Sequence, residues 1–335
     1  MSNKNPSLTV GNIKIEGKLL LAPMRGVNAP SFRILCKNYG AALLTTQVFW
    51  SWEQENWKDR LETEFSGLDS PLSVQIGGNS PAELKSSLEL LESYGDIIDF
   101  NASCPHKAEC GNKSGSFLLL HLDQLERSVK TILDNTNKPV TVKLRLGWDD
   151  KRINIIESSK MLEDLGVSAL IIHARTRQQL FKGNIHINHI KNVKENLNIP
   201  IIGNGNINSG LDAERMFSTT KCDAIMVGRA AKGNPFIFKQ INHYLEQKKV
   251  LKNSFSKRKE DFLFFAENYE KIEKNRSFSE FQTQALWFLK GFLNVSKLKE
   301  EVEQSTDFDQ IIKAYQQFDA KITMHADKVY KPRQK

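Results

Sequence analysis

Between residues 19 and 245, short apolar runs alternate with segments of helical period. The runs fall at 19–22, 41–46, 72–76, 97–101, 140–144, 169–173, 201–204 and 224–227. Most are nearly continuous in hydrophobicity rather than alternating. A strand buried on both faces reads this way, as in a parallel sheet. Start signals mark several of the helical segments. Ser80 precedes Pro81, a cap residue before a proline at the first helical position. Ser209 and Gly210 precede Leu211-Asp212-Ala213-Glu214 in the same way. Eight such units over this length predict an α/β fold, a (β/α)8 TIM barrel. Residues 8–16, with Val10, Ile13 and Ile15 around Gly11-Asn12, predict a hairpin closing the barrel's bottom. A doubly wound sheet is the structural rival. It would carry a glycine-rich phosphate loop after its first strand, and Pro23-Met24-Arg25-Gly26 stands there instead.

Beyond residue 250 the strand-like runs stop. Amphipathic stretches at 257–275, 279–295 and 307–323 predict helices, with Phe281, Leu286, Trp287 and Phe288 at helical spacing. The expected organisation is a barrel over 1–245, a linker over 246–256 and an all-α helical bundle over 257–335. The tail ends with Lys328, Lys331, Arg333 and Lys335 and no acidic residue beyond 328.

Composition narrows the classes. With 40% hydrophobic and 26% charged residues among 335, wholesale disorder and fibrous repeats are excluded. No run approaches the roughly 18 apolar residues of a membrane span. Residues 1–8, MSNKNPSL, lack the apolar core of a secretion signal, so a cytoplasmic protein with no membrane partner is expected. The cysteines, Cys36, Cys104, Cys110 and Cys222, are too scattered for a disulfide framework, and no C-x-x-C pair indicates a metal. A net charge of +8 admits a polyanionic partner, nucleic acid being the commonest. The excess is mostly lysine and is spread along the chain, so charge alone favours an ordinary solvated surface.

In a barrel the chemistry sits at the C-terminal ends of the strands. Polar residues stand there at nearly every strand. Asn204-Gly205-Asn206 and Gly228-Arg229 follow strands seven and eight, where small residues admit a phosphate to backbone N–H groups and Arg229 adds bidentate contacts. As a dinucleotide fingerprint the G-x-G at 203–205 fails, because position 208 is asparagine. Lys143 interrupts an apolar strand. It is either an inward lysine that snorkels out or a cation facing a flavin N1–C2 edge or a phosphate, and His173 is either a satisfied core histidine or an anion contact. Cys104 is the sharpest candidate. It follows a strand end, precedes Pro105 and leads into a polar loop over 107–116. A free thiol is mostly protonated at neutral pH and so can donate a proton as well as attack.

These residues resemble the tRNA-dihydrouridine synthases, FMN-dependent enzymes that reduce a uridine in RNA. The resemblance rests on A-P-M at 22–24, V-Q-I-G-G at 74–78, D-x-N-x-x-C-P at 99–105, V-K-L-R-L-G-W at 142–148, H-A-R-T-R at 173–177, N-G at 204–205 and C-D-A-I-M-V-G-R-A-A-K-G-N-P-F-I-F at 222–238. It covers residues 19 to 240 in order, and the helical tail only loosely, through residues 287–292. It implies that Pro23, Met24 and Arg25 line the flavin, and that Gln75 bonds the isoalloxazine edge. It gives Asn101 to flavin and uracil, and Lys143 and His173 to the ring and phosphate side. Asn204, Gly205, Asn206, Gly228 and Arg229 would cradle the FMN phosphate. Cys104 would protonate C5 after hydride reaches C6, and NADPH would re-reduce the flavin. Arg145, Arg175 and Arg177 would approach the tRNA, held further by the helical domain of a monomer. There are departures. Ser103 replaces a usual glycine, Asn206 a usual aspartate, and Gln284 a frequent histidine. The competing readings are a small-molecule FMN reductase of dihydroorotate or dihydropyrimidine type and a non-catalytic RNA-binding barrel. The basic helical tail argues against the first and the retained Cys104, Lys143, His173 and Arg229 against the second.

Overall fold

A computed structural model describes residues 7–65, 71–273 and 277–318 of the chain. The barrel strands in chain order follow a hairpin of β1 (Ser7–Val10) and β2 (Ile13–Glu16). They are β3 (Leu19–Leu21), β4 (Leu44–Thr45), β5 (Phe49–Trp50), β6 (Leu72–Gly77), β7 (Ile97–Ala102), β8 (Val140–Arg145), β9 (Ala169–His173), β10 (Ile201–Asn204) and β11 (Ala224–Val227). All pair in parallel with sequential neighbours from β6 to β11, and β11 pairs back onto β3. A bridge between Leu20 and Leu43 completes the ring. The predicted barrel is present. The second strand departs from its expected single run. It is split into β4 and β5, which pair β6 on either side of Thr46, whose hydroxyl takes the Gln75 N–H at 3.0 Å.

The hairpin does close the barrel's bottom. Leu8, Val10 and Ile15 share one buried cluster with the inward residues Leu20, Ile97, Ala169, Ile171, Ile202, Ala224 and Met226. The connections carry α1 (Pro30–Asn38), α2 (Trp57–Glu64), α3 (Pro81–Leu91), α4 (Lys107–Gly111), α5 (Leu122–Leu133), α6 (Ile155–Asp164), α7 (Asn188–Asn196), α8 (Gly210–Thr220) and α9 (Ile237–Gln247). Ser80 and Ser209 cap α3 and α8 through the N–H groups of Glu83 and Asp212, as their spacing predicts.

Four helices follow: α10 (Phe255–Ile272), α11 (Phe278–Phe288), α12 (Ser296–Gln304) and α13 (Phe308–Gln317). The expected helix over 279–295 ends early, because Gly291 and Asn294 take positive φ of 91° and 58°. Helix α12 is the element the pattern misses. It is polar except for Leu298 and Val302, one turn apart and buried. Phe262, Phe265, Phe281, Phe288 and Tyr315 are buried together within this group. The basic tail at 328–335 lies outside the described residues.

The helices rest directly on the barrel. Gln284 donates to the Val27 carbonyl at 2.9 Å, and the Tyr39 hydroxyl bonds Asp261. Arg258 reaches the Gly233 carbonyl and, at 2.7 Å, Asn234 Oδ1. Gly233 has φ +60°, and a Cβ there would stand 2.2 Å from the Trp287 backbone. The segment after β11 is thereby fixed against α11. Among the described residues no helix is long and apolar enough to cross a membrane.

Candidate active site

The strand ends converge on one cavity of about 420 Å³. Fourteen residues singled out from the sequence line it: Pro23, Met24, Arg25, Gln75, Asn101, Cys104, Lys143, Arg145, His173, Asn204, Gly205, Asn206, Gly228 and Arg229. Register explains the convergence. Asn101 lies opposite Lys143 and Arg145 opposite His173 on adjacent parallel strands, at the same end of the barrel.

The floor is an ordered chain of amides. Gln75 is fully buried. Its Nε2 donates to Asp99 at 2.6 Å, and its Oε1 accepts from Asn101 Nδ2 at 2.8 Å. Asn101 Oδ1 accepts the main-chain N–H groups of Ser103 and Cys104 at 3.0 and 2.9 Å. Lys143 is 7% exposed and donates to the Ser103 hydroxyl at 3.2 Å. Burial, reinforced by the Arg145 cation, brings its pKa down to about 8. His173 is held well below its usual range, first by burial and then by Arg145, Lys143, Arg175 and Arg229, so its ring is neutral.

The other end of the cavity suits an anion. Gly205 has φ +133°, a backbone that only glycine adopts readily, and turns the chain after β10 past His173. Asn204 Nδ2 is tied to the Met226 carbonyl at 2.7 Å. Exposed Arg229 follows Gly228 at the rim. The lining holds Arg25, Lys143, Arg145, Arg229 and Lys232 against one carboxylate, Glu109. Buried amides and a cation beside the apolar Ala22, Met24 and Met226, with cations and glycine backbone at one end, fit a flat heteroaromatic ring carrying a phosphate.

Cys104 borders this floor. Its thiol is pushed up to about 11, chiefly by burial. It is thus a thiol at neutral pH, the form that gives a proton away. Cys36, Cys110 and Cys222 are buried, and Cys104 is the partly exposed one of the four.

The three arginines expected to face RNA are placed differently from one another. Arg145 is 1% exposed. It gives Nε to the Ser103 carbonyl at 2.8 Å and Nη1 to the carbonyls of Thr176 and Leu180 at 2.9 and 2.7 Å. Arg175, 2% exposed, reaches the carbonyls of Lys182 and Gly183 and Asn206 Oδ1. Arg177 is partly exposed, 4.6 Å over the Trp148 ring. Neither Arg175 nor Arg177 lines the cavity.

Sequence reasoning missed several lining residues. Phe181 sits at the mouth with Arg145 and Arg229 guanidinium carbons 5.3 and 5.2 Å from its ring centre. Nothing local marks it, because its partners come from other strands. Lys232 also lines the cavity, with Nζ 4.7 Å from the Trp287 ring centre.

The family model described as "Dihydrouridine synthase (Dus)" matches residues 20–324. The tRNA-dihydrouridine synthase B of Vibrio vulnificus is 38% identical over 244 residues, 71% of this chain and 75% of that protein. Its Proteus vulgaris counterpart is 37% identical over 249 residues, 73% of this chain and 76% of that one. The Escherichia coli protein of the same name is 36% identical over 247 residues, with 73% and 77% covered. Among solved structures, the old yellow enzyme homologue from Zymomonas mobilis superposes with a TM-score of 0.53 at 12% identity, over 77% of this chain and 96% of that one. A 2-naphthoyl-CoA reductase complex gives 0.55 at 11% identity, over 72% and 52%. At such identity these two neighbours speak to the barrel fold alone.

Proposed function

The chain belongs to the dihydrouridine synthase family, and on that premise we propose that it is a flavin-dependent tRNA-dihydrouridine synthase that reduces the C5–C6 bond of a uridine in tRNA. The observation that carries the reading is the meeting of Cys104 with Gln75, Asn101, Lys143 and the Asn204 and Arg229 turns in one cavity. In this reading Gln75, Asn101 and Lys143 hold the edge of an FMN ring. Pro23, Met24 and Arg25 line its side, and neutral His173 stands toward the phosphate. Asn204, Gly205, Asn206, Gly228 and Arg229 hold the phosphate. FMN held there would supply the hydride chemistry for C6 of the uracil, and NADPH is the proposed reductant.

Cys104 delivers the proton to C5. Burial keeps the thiol protonated, and Asn101 holds its main chain beside the floor. The hydride and the proton together add the two hydrogens of the product. The cavity is recessed at the barrel mouth, so the target base leaves its stack to enter. We assign catalysis to the barrel, residues 1–245, and hold of the remaining RNA to the helices beyond the 246–256 linker, through shape and phosphate contacts.

The experiment is incubation with NADPH and unmodified tRNA transcript, followed by mass analysis of the digested nucleosides. A uridine heavier by about two mass units is the expected product, since one hydride and one proton are added. Flavin-bound protein that consumes NADPH without that product would favour a small-molecule reductase.

A further inference from the structure

The amide chain on the cavity floor has chemically fixed ends. At one end the main-chain N–H groups of Ser103 and Cys104 can only donate. Asn101 must therefore present Oδ1 to them and Nδ2 to Gln75. Gln75 must then present Oε1 to Asn101 and its Nε2 donor onward. The onward partner is Asp99, whose carboxylate only accepts. The other carboxylate oxygen takes the Thr141 hydroxyl at 2.7 Å. Asp99 is 1% exposed and does not line the cavity.

We propose that Asp99 is a positioning residue, whose buried carboxylate sets the orientation of the Gln75 and Asn101 amides and, through Asn101, the main chain that carries Cys104. Without an acceptor at position 99, Gln75 keeps a buried donor unpaired in its present pose, and rotation relieves that only by breaking the bond to Asn101. The disturbance then reaches Cys104 over two side chains. The inference rests on the reading of Cys104 as proton donor.

The polarity of the chain makes it testable in FMN-bound protein. One readout needs no RNA: the rate at which iodoacetamide alkylates Cys104, mapped by mass spectrometry. The other is single-turnover reduction of tRNA uridine. Asp99→Ala speeds alkylation about tenfold and slows turnover about tenfold, the scale of one lost buried hydrogen bond. Asp99→Asn recovers most of both, since Oδ1 still accepts from Gln75 while Nδ2 donates to the Thr141 oxygen. Gln75→Glu sets two carboxylates against each other and is impaired. Adding Asp99→Asn to Gln75→Glu restores a donor facing Glu and leaves Asn101 oriented as before, so the double variant outperforms Gln75→Glu. Wild-type alkylation in Asp99→Ala, or a double variant no better than Gln75→Glu, overturns the proposal. If Asp99→Ala does not fold, the Gln75→Glu pair carries the test alone. A wild-type protein that reduces no tRNA uridine sinks the functional reading instead, and the alkylation order still judges the positioning role.

Discussion

Arg145 donates its Nε–H to the carbonyl of Ser103 at 2.8 Å, one residue before the thiol that faces the cavity. Its other bonds go to Thr176 and Leu180, so a single guanidinium ties the Cys104 loop to the loop that follows β9. Burial lowers the Arg145 pKa to about 9, which leaves the planar guanidinium charged at neutral pH and suited to a buried three-way brace.

Arg145→Met should therefore damage chemistry more than RNA recognition. The expected outcome is a fall in single-turnover rate of roughly tenfold or more, with tRNA affinity within about threefold of wild type. Stopped-flow flavin reoxidation and filter binding measure the two. A large loss of affinity at an intact rate would make Arg145 an RNA contact instead.

Glu273 closes α10 against the barrel, accepting the Ser31 hydroxyl at 3.4 Å. Burial first, then the Glu64 carboxylate, raises its pKa from 4.5 to about 7. The folded state thus prefers the neutral acid. Its stabilising contribution is complete below about pH 4.5 and is lost as pH climbs through 7. Glu273→Gln should raise Tm by a few degrees at pH 8, with a ceiling of roughly 3 kcal/mol. At pH 5 most of that gain should vanish. Thermal melts at both pH values check it, and an equal gain at both would refute the charge argument.

Arg229, Lys232 and Lys290 form a cationic line from the cavity mouth toward α11, close enough for Arg229 and Lys290 to depress the Lys232 pKa after burial has done so. If phosphates of the bound tRNA follow this line, a Lys232→Ala/Lys290→Ala pair weakens binding. It also flattens the dependence of log affinity on log salt by roughly 0.7–0.9 per lost contact. Binding titrations from low to moderate salt measure the slope. An unchanged slope would place the RNA elsewhere.

The barrel was legible in the sequence because its strands are buried on both faces and so read as apolar runs. The cavity residues were legible because the parallel register sets Asn101 level with Lys143 and, two residues further on, Arg145 level with His173 and Asn204, all at one end of the barrel whatever the loops do. What escaped is set by tertiary partners. The break in the second strand depends on a Thr46 hydroxyl meeting the Gln75 amide, 29 positions away. The placing of Arg145 and Arg175 depends on carbonyls of a loop that folds back over them. In the sequence those guanidinium groups read as cations for RNA, and the carbonyls that occupy them carry no side-chain signal. Asp99 opens the D-x-N-x-x-C-P motif, yet its partners emerge only when β6, β7 and β8 lie side by side.

Protonation by Cys104 of a uracil held in the flavin cavity is decided by one paired measurement. Wild-type and Cys104→Ala proteins, both FMN-bound and reduced, are mixed with unmodified tRNA for a single turnover, and the uridine mass is read. Wild type should gain about two mass units. In Cys104→Ala a proton-donor role for the thiol requires a rate lower by about 10²–10⁴ at undiminished FMN content. An alanine variant that turns over at the wild-type rate, or a wild type that leaves uridine unchanged, would contradict it.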